Sequence, residues 1–540
     1  MHAAATNPTR SITGIGAWRP WLSGLASGLL LWAMYPLLGL WPLVWLSYAP
    51  LLAWIERDRP RPRQALLVGW VVGTVLHAGV FSFLAFTLRE MSGMPDAVGW
   101  LVVLGHAVGV GLHQAVFAAL LAATVEPRRG AVLRAAQTGI LLAVCEFALP
   151  WLFRWYLGNA LFRQPLWLQL ADVVGVIGVS AAAVAVTALL VRAWLDRSWR
   201  PLLAAVILLG VWSGYGAWRM SQVDAAPATG RFAAVLVQHN ATLDEKRAQV
   251  AGKRLAMLDR LEQLTTQAER DGRLRNVDAV IWPEGAYPLF WVADDVTPGA
   301  PKVPSKASKA ALQGKARLLE FVRQLPVPLL TGALRHDDLL FRDSGHNSAL
   351  LLDSSGQRWL YDKRILLAFG EYLPGTALFP QLKGAIEGIS EFAPGAISGL
   401  VQLGRARVLV NICYEALFAA FLRDEVGDAQ VLINLTNDLW FGPPPSGELH
   451  LMVQMVRAIE LRRPFVRSTV TGISAYTDAA GRILGETPVG QTAVLRADVK
   501  LAELGSPYRF WGDAPLWLAT VGCVLWLGWR WRRRVAMPTD

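Results

Sequence analysis

The chain has 540 residues, 54% of them hydrophobic and 17% charged, with 24 Trp and a formal net charge of +11. An ordinary soluble domain carries about a quarter charged residues, so this composition excludes a purely soluble protein and a disordered one. Nucleic-acid binding is a poor reading of the charge, because much of the Arg lies in short loops beside apolar runs, and three cysteines are too few for a disulfide scaffold.

In chain order, the first elements are membrane spans. Lipid offers no partner to an unpaired backbone group, so a crossing helix needs about 20 mainly apolar residues. Residues 20–55 hold no Asp, Glu, Lys or Arg and break at Tyr35-Pro36, which predicts two short spans. Further spans are predicted at 65–88, 97–125, 135–153, 173–191 and 201–218, and an eighth at 514–529. The first span lacks a small-residue cleavage pattern, so it is expected to stay as an anchor.

Lys and Arg are retained on the cytoplasmic side, and alternate loops differ in how many they carry. One set holds Arg10 and Arg19, then Arg57, Arg59, Arg61 and Arg63, then Arg128, Arg129 and Arg134, then Arg192, Arg197 and Arg200, then Arg530, Arg532, Arg533 and Arg534. The other set offers Arg89, Arg154, Arg163 and Arg219. Both termini are therefore expected inside. The expected domains are 1–228 with seven spans, an extracytoplasmic body at 229–506, and 507–540 with the eighth span and a basic tail.

The body reads as a soluble α/β domain. Strands are predicted at 232–237, 279–282, 328–334, 348–353, 407–412, 431–435 and 465–471, and helices at 243–270, 306–324, 415–424 and 448–462. Three polar residues stand where an apolar strand runs out into a turn: Glu284 in AVIWPEGAYP, Lys363 in YDKRILLAFGEYLP and Cys413 in VLVNICYEALF. A carboxylate can accept a thiol proton, a thiolate is a strong nucleophile, and an ammonium steadies charge on a carbonyl oxygen, so together they make an acyl-transfer set. A helix beginning near Glu415 would favour the Cys413 thiolate, and the Tyr414 N–H is a candidate second oxyanion donor.

Glu, Lys and Cys in this order, 79 and 50 residues apart, resemble the nitrilase superfamily. With spans on both sides and the strings WPE, FGEYLP, CYE and TNDLWFG, the chain resembles the apolipoprotein N-acyltransferase family over nearly its whole length. The resemblance implies an eight-helix transmembrane bundle plus a nitrilase-like α-β-β-α sandwich in a bacterial inner membrane, the catalytic body facing the periplasm. It implies Glu284 as general base, Lys363 as oxyanion stabiliser and Cys413 as nucleophile, supported by Glu371, Tyr414 and Glu415. It implies a phospholipid donor, phosphatidylethanolamine giving its sn-1 chain, a diacylglyceryl-apolipoprotein acceptor, a monomer, and no metal or organic cofactor. The chain departs from the family in lacking a Trp after VQHN and in reading Thr469-Val470-Thr471-Gly472 where an Asn-Thr-Gly type of triplet is expected.

The remaining polar signals are read as structural. His77, His106, His113 and Glu146 fall in predicted spans, and for the histidines bundle contacts are favoured over a proton path. His450, Arg457, Glu460, Arg463 and Arg467 are read as scaffold around the site. Loops 285–301 and 375–400, with Phe290, Trp291, Leu378, Phe379, Ile386 and Phe392, are expected to form a mobile lid at the bilayer surface. Two rival readings stand beside acyl transfer: a membrane-tethered amidase using the same triad, and a transporter with an accessory domain.

Overall fold

The computed structural model describes residues 14–126, 129–247, 251–292, 306–337, 344–376, 378, 379, 381, 391–442 and 446–535. The chain forms two compact units, one of Met1–Ser82, Leu101–Leu149 and Ala181–Leu209, the other of Phe83–Trp100, Pro150–Ser180 and Gly210–Asp540.

The first unit is helical. Its helix Pro62–Val80 carries Gly69 and Gly73, four residues apart on one face, against the helix Leu112–Thr124 and its approach. A Cβ at Gly69 would meet the Ala118 Cβ at 2.6 Å and one at Gly73 the Gly111 Cα at 2.5 Å, so the small residues let two backbones approach as lipid-embedded helices require. Glu56 accepts from Arg134 at 2.8 Å and from Arg192 at 3.2 Å. His77 and His106 both pack on Phe81, and the His113 ring Nδ1 lies 2.7 Å from the Val110 carbonyl, which fits the bundle-contact reading of these histidines.

Across the described residues, five helices are long and apolar enough to cross a membrane: Pro62–Val80, Asp96–Thr124, Ala131–Ala148, Ala171–Asp196 and Trp199–Ala225. The eight expected spans are thus matched in five places. The expected pair in 20–55 is a helix Gly14–Ala33 carrying Arg19, then a 3₁₀ turn Trp41–Trp45 leading to a short helix Ala49–Asp58. The C-terminal helix Ala514–Val535 carries four Arg in its last turns. Neither of these is apolar enough over its length to count with the five.

The second unit holds the sandwich. Its strands are β1 (Gly230–Gln238), β2 (Ala279–Ile281), β3 (Tyr287–Val292), β4 (Leu329–His336), β5 (His346–Asp353), β6 (Gly356–Asp362), β7 (Leu400–Leu403), β8 (Ala406–Ile412), β9 (Val431–Thr436), β10 (Phe465–Thr469), β11 (Ala475–Thr477), β12 (Ile483–Glu486) and β13 (Ala493–Leu501). Its principal helices are α1 (Ala251–Arg270), α2 (Lys306–Arg323), α3 (Ala419–Glu425) and α4 (Ser446–Leu461). One sheet runs β13-β1-β2-β4-β5-β6 with β3 also on β4, and the other β12-β11-β10-β9-β8-β7. The central pairs β1–β2, β2–β4, β8–β9 and β9–β10 are parallel, as is β3 on β4, and the remaining pairs are antiparallel.

Period-two alternation decides which side chain goes where. On β1, Phe232, Ala234 and Leu236 join Val408, Val410, Ile412, Ile433 and Leu435 in the core between the sheets. Ala233, Val235 and Val237 point the other way, onto Leu258 and Leu261 of α1 and Leu318 and Val322 of α2. Asp172 braces the unit: it accepts from Tyr215 at 2.6 Å, Arg219 at 2.7 Å and Arg462 at 2.9 Å, all four groups converging in a mostly buried knot.

Candidate active site

Glu284, Lys363 and Cys413 follow β2, β6 and β8 directly or within three residues, and the fold brings these strand ends together. Glu284 reaches the site because its turn lies flat on β4. The Gly332 N–H donates to the Pro283 carbonyl at 3.1 Å, and a Cβ on Gly332 would meet the Glu284 Cα and the Gly285 N at 2.5 Å each. Gly285 closes the turn at φ +56°, a conformation in which glycine has no steric penalty.

The Lys363 ammonium, 1% exposed, lies 2.8 Å from Glu371 Oε2 and 3.6 Å from Glu284 Oε1. The Asn347 amide donates to Glu284 Oε1 and to Glu371 Oε1, each at 2.7 Å, and so fixes the spacing of the two carboxylates. The Leu367 N–H donates to Glu371 Oε2 at 2.8 Å. The Cys413 thiol is buried close enough to Glu284 for the carboxylate charge to act on it. All of these groups except the Leu367 N–H belong to buried residues.

Burial raises the Glu284 carboxyl above its ordinary value despite the opposing pull of Lys363. Burial alone would lower Lys363, but Glu371, Glu284 and the thiolate form of Cys413 outweigh it and hold the ammonium well above its usual range. The Cys413 thiol is pushed up, first by burial and then by Glu284, with Lys363 opposing. The sulfur is therefore protonated at rest beside a strengthened base. This corrects the expectation of a helix-favoured thiolate: a five-residue 3₁₀ turn, Cys413–Leu417, follows the strand, α3 begins only at Ala419, and desolvation dominates.

Cys413 has φ +49°, a left-handed conformation that costs a non-glycine residue energy and persists only where the surroundings enforce it. Its carbonyl accepts from Asn434 and Gln454, both at 3.3 Å. Glu415 bolts this turn to the Lys363 segment. It accepts from the Ile412 N–H, the Tyr361 hydroxyl and the Arg364 N–H at 2.7 Å each, and from Ile365 at 3.2 Å. Tyr414 points the other way, donating its hydroxyl to the Leu152 carbonyl, and burial pushes that hydroxyl up to about 12.

The sulfur faces a pocket lined by Phe83, Phe153, Trp155, Tyr414 and Phe441 with Leu367 and Leu417, and by His450 and Ser446. His450 was read as scaffold, and the structure puts it on the pocket wall. Gln454 Oε1 accepts from Arg467 Nε at 2.7 Å, so its amide nitrogen donates to His450 Nε2 at 2.8 Å, which leaves His450 Nδ1–H to donate to Asp438 at 2.7 Å. Burial holds the imidazole below its ordinary value, and it is neutral. Asn347 and Gln454 went unread in the sequence, and Asp438 was read only as part of the string TNDLWFG; for Gln454 the available signal was a polar residue inside an otherwise apolar helix.

The expected lid is corrected in part. Residues 287–292 form β3, with Trp291 buried and donating to Gln357 at 2.8 Å and Phe290 packed edge-on against His336. Residues 293–301 and Ile386 lie outside the described residues. Leu378 and Phe379 are exposed.

Residues 27–189 match the family model described as Apolipoprotein N-acyltransferase N-terminal domain, and residues 234–508 match Carbon-nitrogen hydrolase. An apolipoprotein N-acyltransferase of Geobacter metallireducens is 29% identical over 96% of this chain and 96% of its own length. One of Brucella melitensis is 30% identical over 95% of both chains. Among solved structures, the NitN amidase from Neterenkonia sp. AN1 is 17% identical with a TM-score of 0.37, over 53% of this chain and 98% of that one.

Proposed function

We propose, from the premise that this chain belongs to the apolipoprotein N-acyltransferase family, that it moves a fatty acyl chain from a membrane phospholipid to the α-amine of a diacylglyceryl-cysteine at a lipoprotein N-terminus. In the first half-reaction the Glu284 carboxylate takes the Cys413 proton as the sulfur attacks the sn-1 ester carbonyl. Lys363 and the Tyr414 N–H steady the oxyanion. The C–O bond breaks, Glu284 returns its proton to the departing lysophospholipid oxygen, and a thioester remains. In the second, Glu284 takes a proton from the attacking amine, the C–S bond breaks, the sulfur is reprotonated and an amide leaves. The two products depart in turn, which is ping-pong chemistry.

One observation carries the choice of substrate: Cys413 lines a pocket whose wall is mainly aromatic and aliphatic side chains. An acyl chain fits such a wall, whereas a small amide calls for fixed polar partners. That favours transfer over the amidase reading, and family membership favours it over a transporter. The test is product analysis with phospholipid and a diacylglyceryl-peptide: transfer gives an amide-linked third chain, and an amidase gives free acid from a small amide with no acylated peptide.

The five apolar helices support an integral membrane protein, and the Arg pattern of the loops supports the finer arrangement. That arrangement has eight spans divided at 1–228, 229–506 and 507–540, both termini in the cytoplasm, and the sandwich in the periplasm of an inner membrane. Phosphatidylethanolamine is the proposed donor, and a single chain suffices for the chemistry described.

A further inference from the structure

Arg154 stands between two residues that line the Cys413 pocket, Phe153 and Trp155. Its guanidinium carbon lies 4.6 Å from the centroid of the Phe418 ring, which meets Tyr414 edge-on at 5.0 Å. Stacking holds the planar group but uses none of its five N–H donors. Among the described residues the guanidinium has no carboxylate or hydrogen-bond partner, and its Nε is buried without an acceptor. Other arginines of the same unit are taken: Arg364 by Glu425 at 2.6 Å, Arg163 by Glu448 at 2.9 Å, and Arg89 by Glu90 at 3.1 Å. A buried donor with no acceptor is destabilising, and a guanidinium fork is matched by a phosphate.

We infer that Arg154 is the anion site of the acyl donor, binding the phosphodiester of a glycerophospholipid whose ester lies at Cys413. The inference rests on the acyl-transfer reading. Ester and phosphate hang from one glycerol, so a donor that seats its acyl chain against Phe153 and Trp155 carries its charge a few bonds from the sulfur, near the chain segment that carries Arg154. The Arg154 charge also acts on the Tyr414 hydroxyl, lowering its pKa against the burial that raises it, which agrees with the shared contact of both residues with Phe418.

The experiment follows acyl loading of Cys413 by intact-protein mass in the full chain, with two donors: phosphatidylethanolamine, and a long-chain p-nitrophenyl ester that carries no phosphate. Arg154→Gln should slow loading from subsaturating phospholipid roughly tenfold or more and leave loading from the p-nitrophenyl ester unchanged. Arg154→Lys should recover part of the loss. Equal slowing with both donors, or with neither, overturns the inference. Thioester preloaded from the p-nitrophenyl ester should pass to a diacylglyceryl-peptide at the wild-type rate; slower passage in Arg154→Gln would assign the residue to the acceptor instead. Inorganic phosphate should leave loading from the p-nitrophenyl ester unchanged, and an Arg154-dependent change would reassign the site to the free anion. A wild-type chain that loads from neither donor fails at the acyl-transfer reading itself.

Discussion

At the scale of single residues, the proposed chemistry depends on a protonated sulfur beside a carboxylate made more basic by burial. Activity should therefore fall as pH drops through the Glu284 pKa, with the midpoint of that acid limb above the ordinary carboxylate value. Asn347 donates to the ionised form, so Asn347→Leu should move the limb to still higher pH. A limb that stays in place in a pH–kcat/KM profile contradicts the assigned base. Glu284→Gln should cost about 10²–10⁴-fold in acyl-enzyme formation, measured by rapid quench. Glu284 and Cys413 were legible as polar breaks at the end of apolar runs, whereas Lys363 follows the half-polar strand GQRWLYD and was legible mainly because the order of the three resembles a known family. Asn347 and the His450 hydrogen bonds were not, since their partners stand on different strands, turns and helices and meet only when these elements pack.

Whole elements are held in place by a few tight fits. Gly332→Ala puts a methyl 2.5 Å from the backbone of the Glu284 turn, which cannot yield as a flexible side chain can. That variant should fold with a displaced carboxylate and lose most acyl loading; full loading would show that the turn has room. On the other face of the second sheet, Asp438 joins β10 to α4, taking Arg467 at 2.7 Å and His450 at 2.7 Å. Its pKa is lowered: burial opposes this, but Arg467 and His450 prevail, so its stabilising effect is present at neutral pH and is lost as pH falls through the lowered value. Asp438→Ala leaves the fully buried Arg467 without its carboxylate and should cost about 3–5 kcal/mol, seen as a lower Tm at pH 7. An unchanged Tm contradicts the brace. All seven predicted strands are present, because central strands covered on both faces read as near-continuous apolar runs such as VLVNI and VLINLT. The unread strands are mostly at sheet edges, β6 and β12 among them, where half-exposed residues blur the pattern, and β3 was taken for loop because it lies in the Gly/Pro-rich stretch 285–301.

For the whole molecule, both proposed substrates are held in lipid, so the chemistry has to be tethered where their headgroups meet it. Asp271, exposed at the end of α1, should in Asp271→Cys react with a membrane-impermeant thiol reagent added to spheroplasts; reaction only after the membrane is opened would reverse the proposed orientation. The long apolar spans were readable from composition, while the end helices were not settled by it, since Arg19 and the C-terminal Arg cluster dilute their hydropathy. The account turns on one covalent intermediate. Intact-protein mass spectrometry after incubation with phospholipid alone should find a single acyl chain on Cys413, missing in Cys413→Ala and discharged when a diacylglyceryl-peptide is added. An adduct that survives Cys413→Ala, or transfer of the chain to peptide with no adduct ever forming on this sulfur, would contradict it.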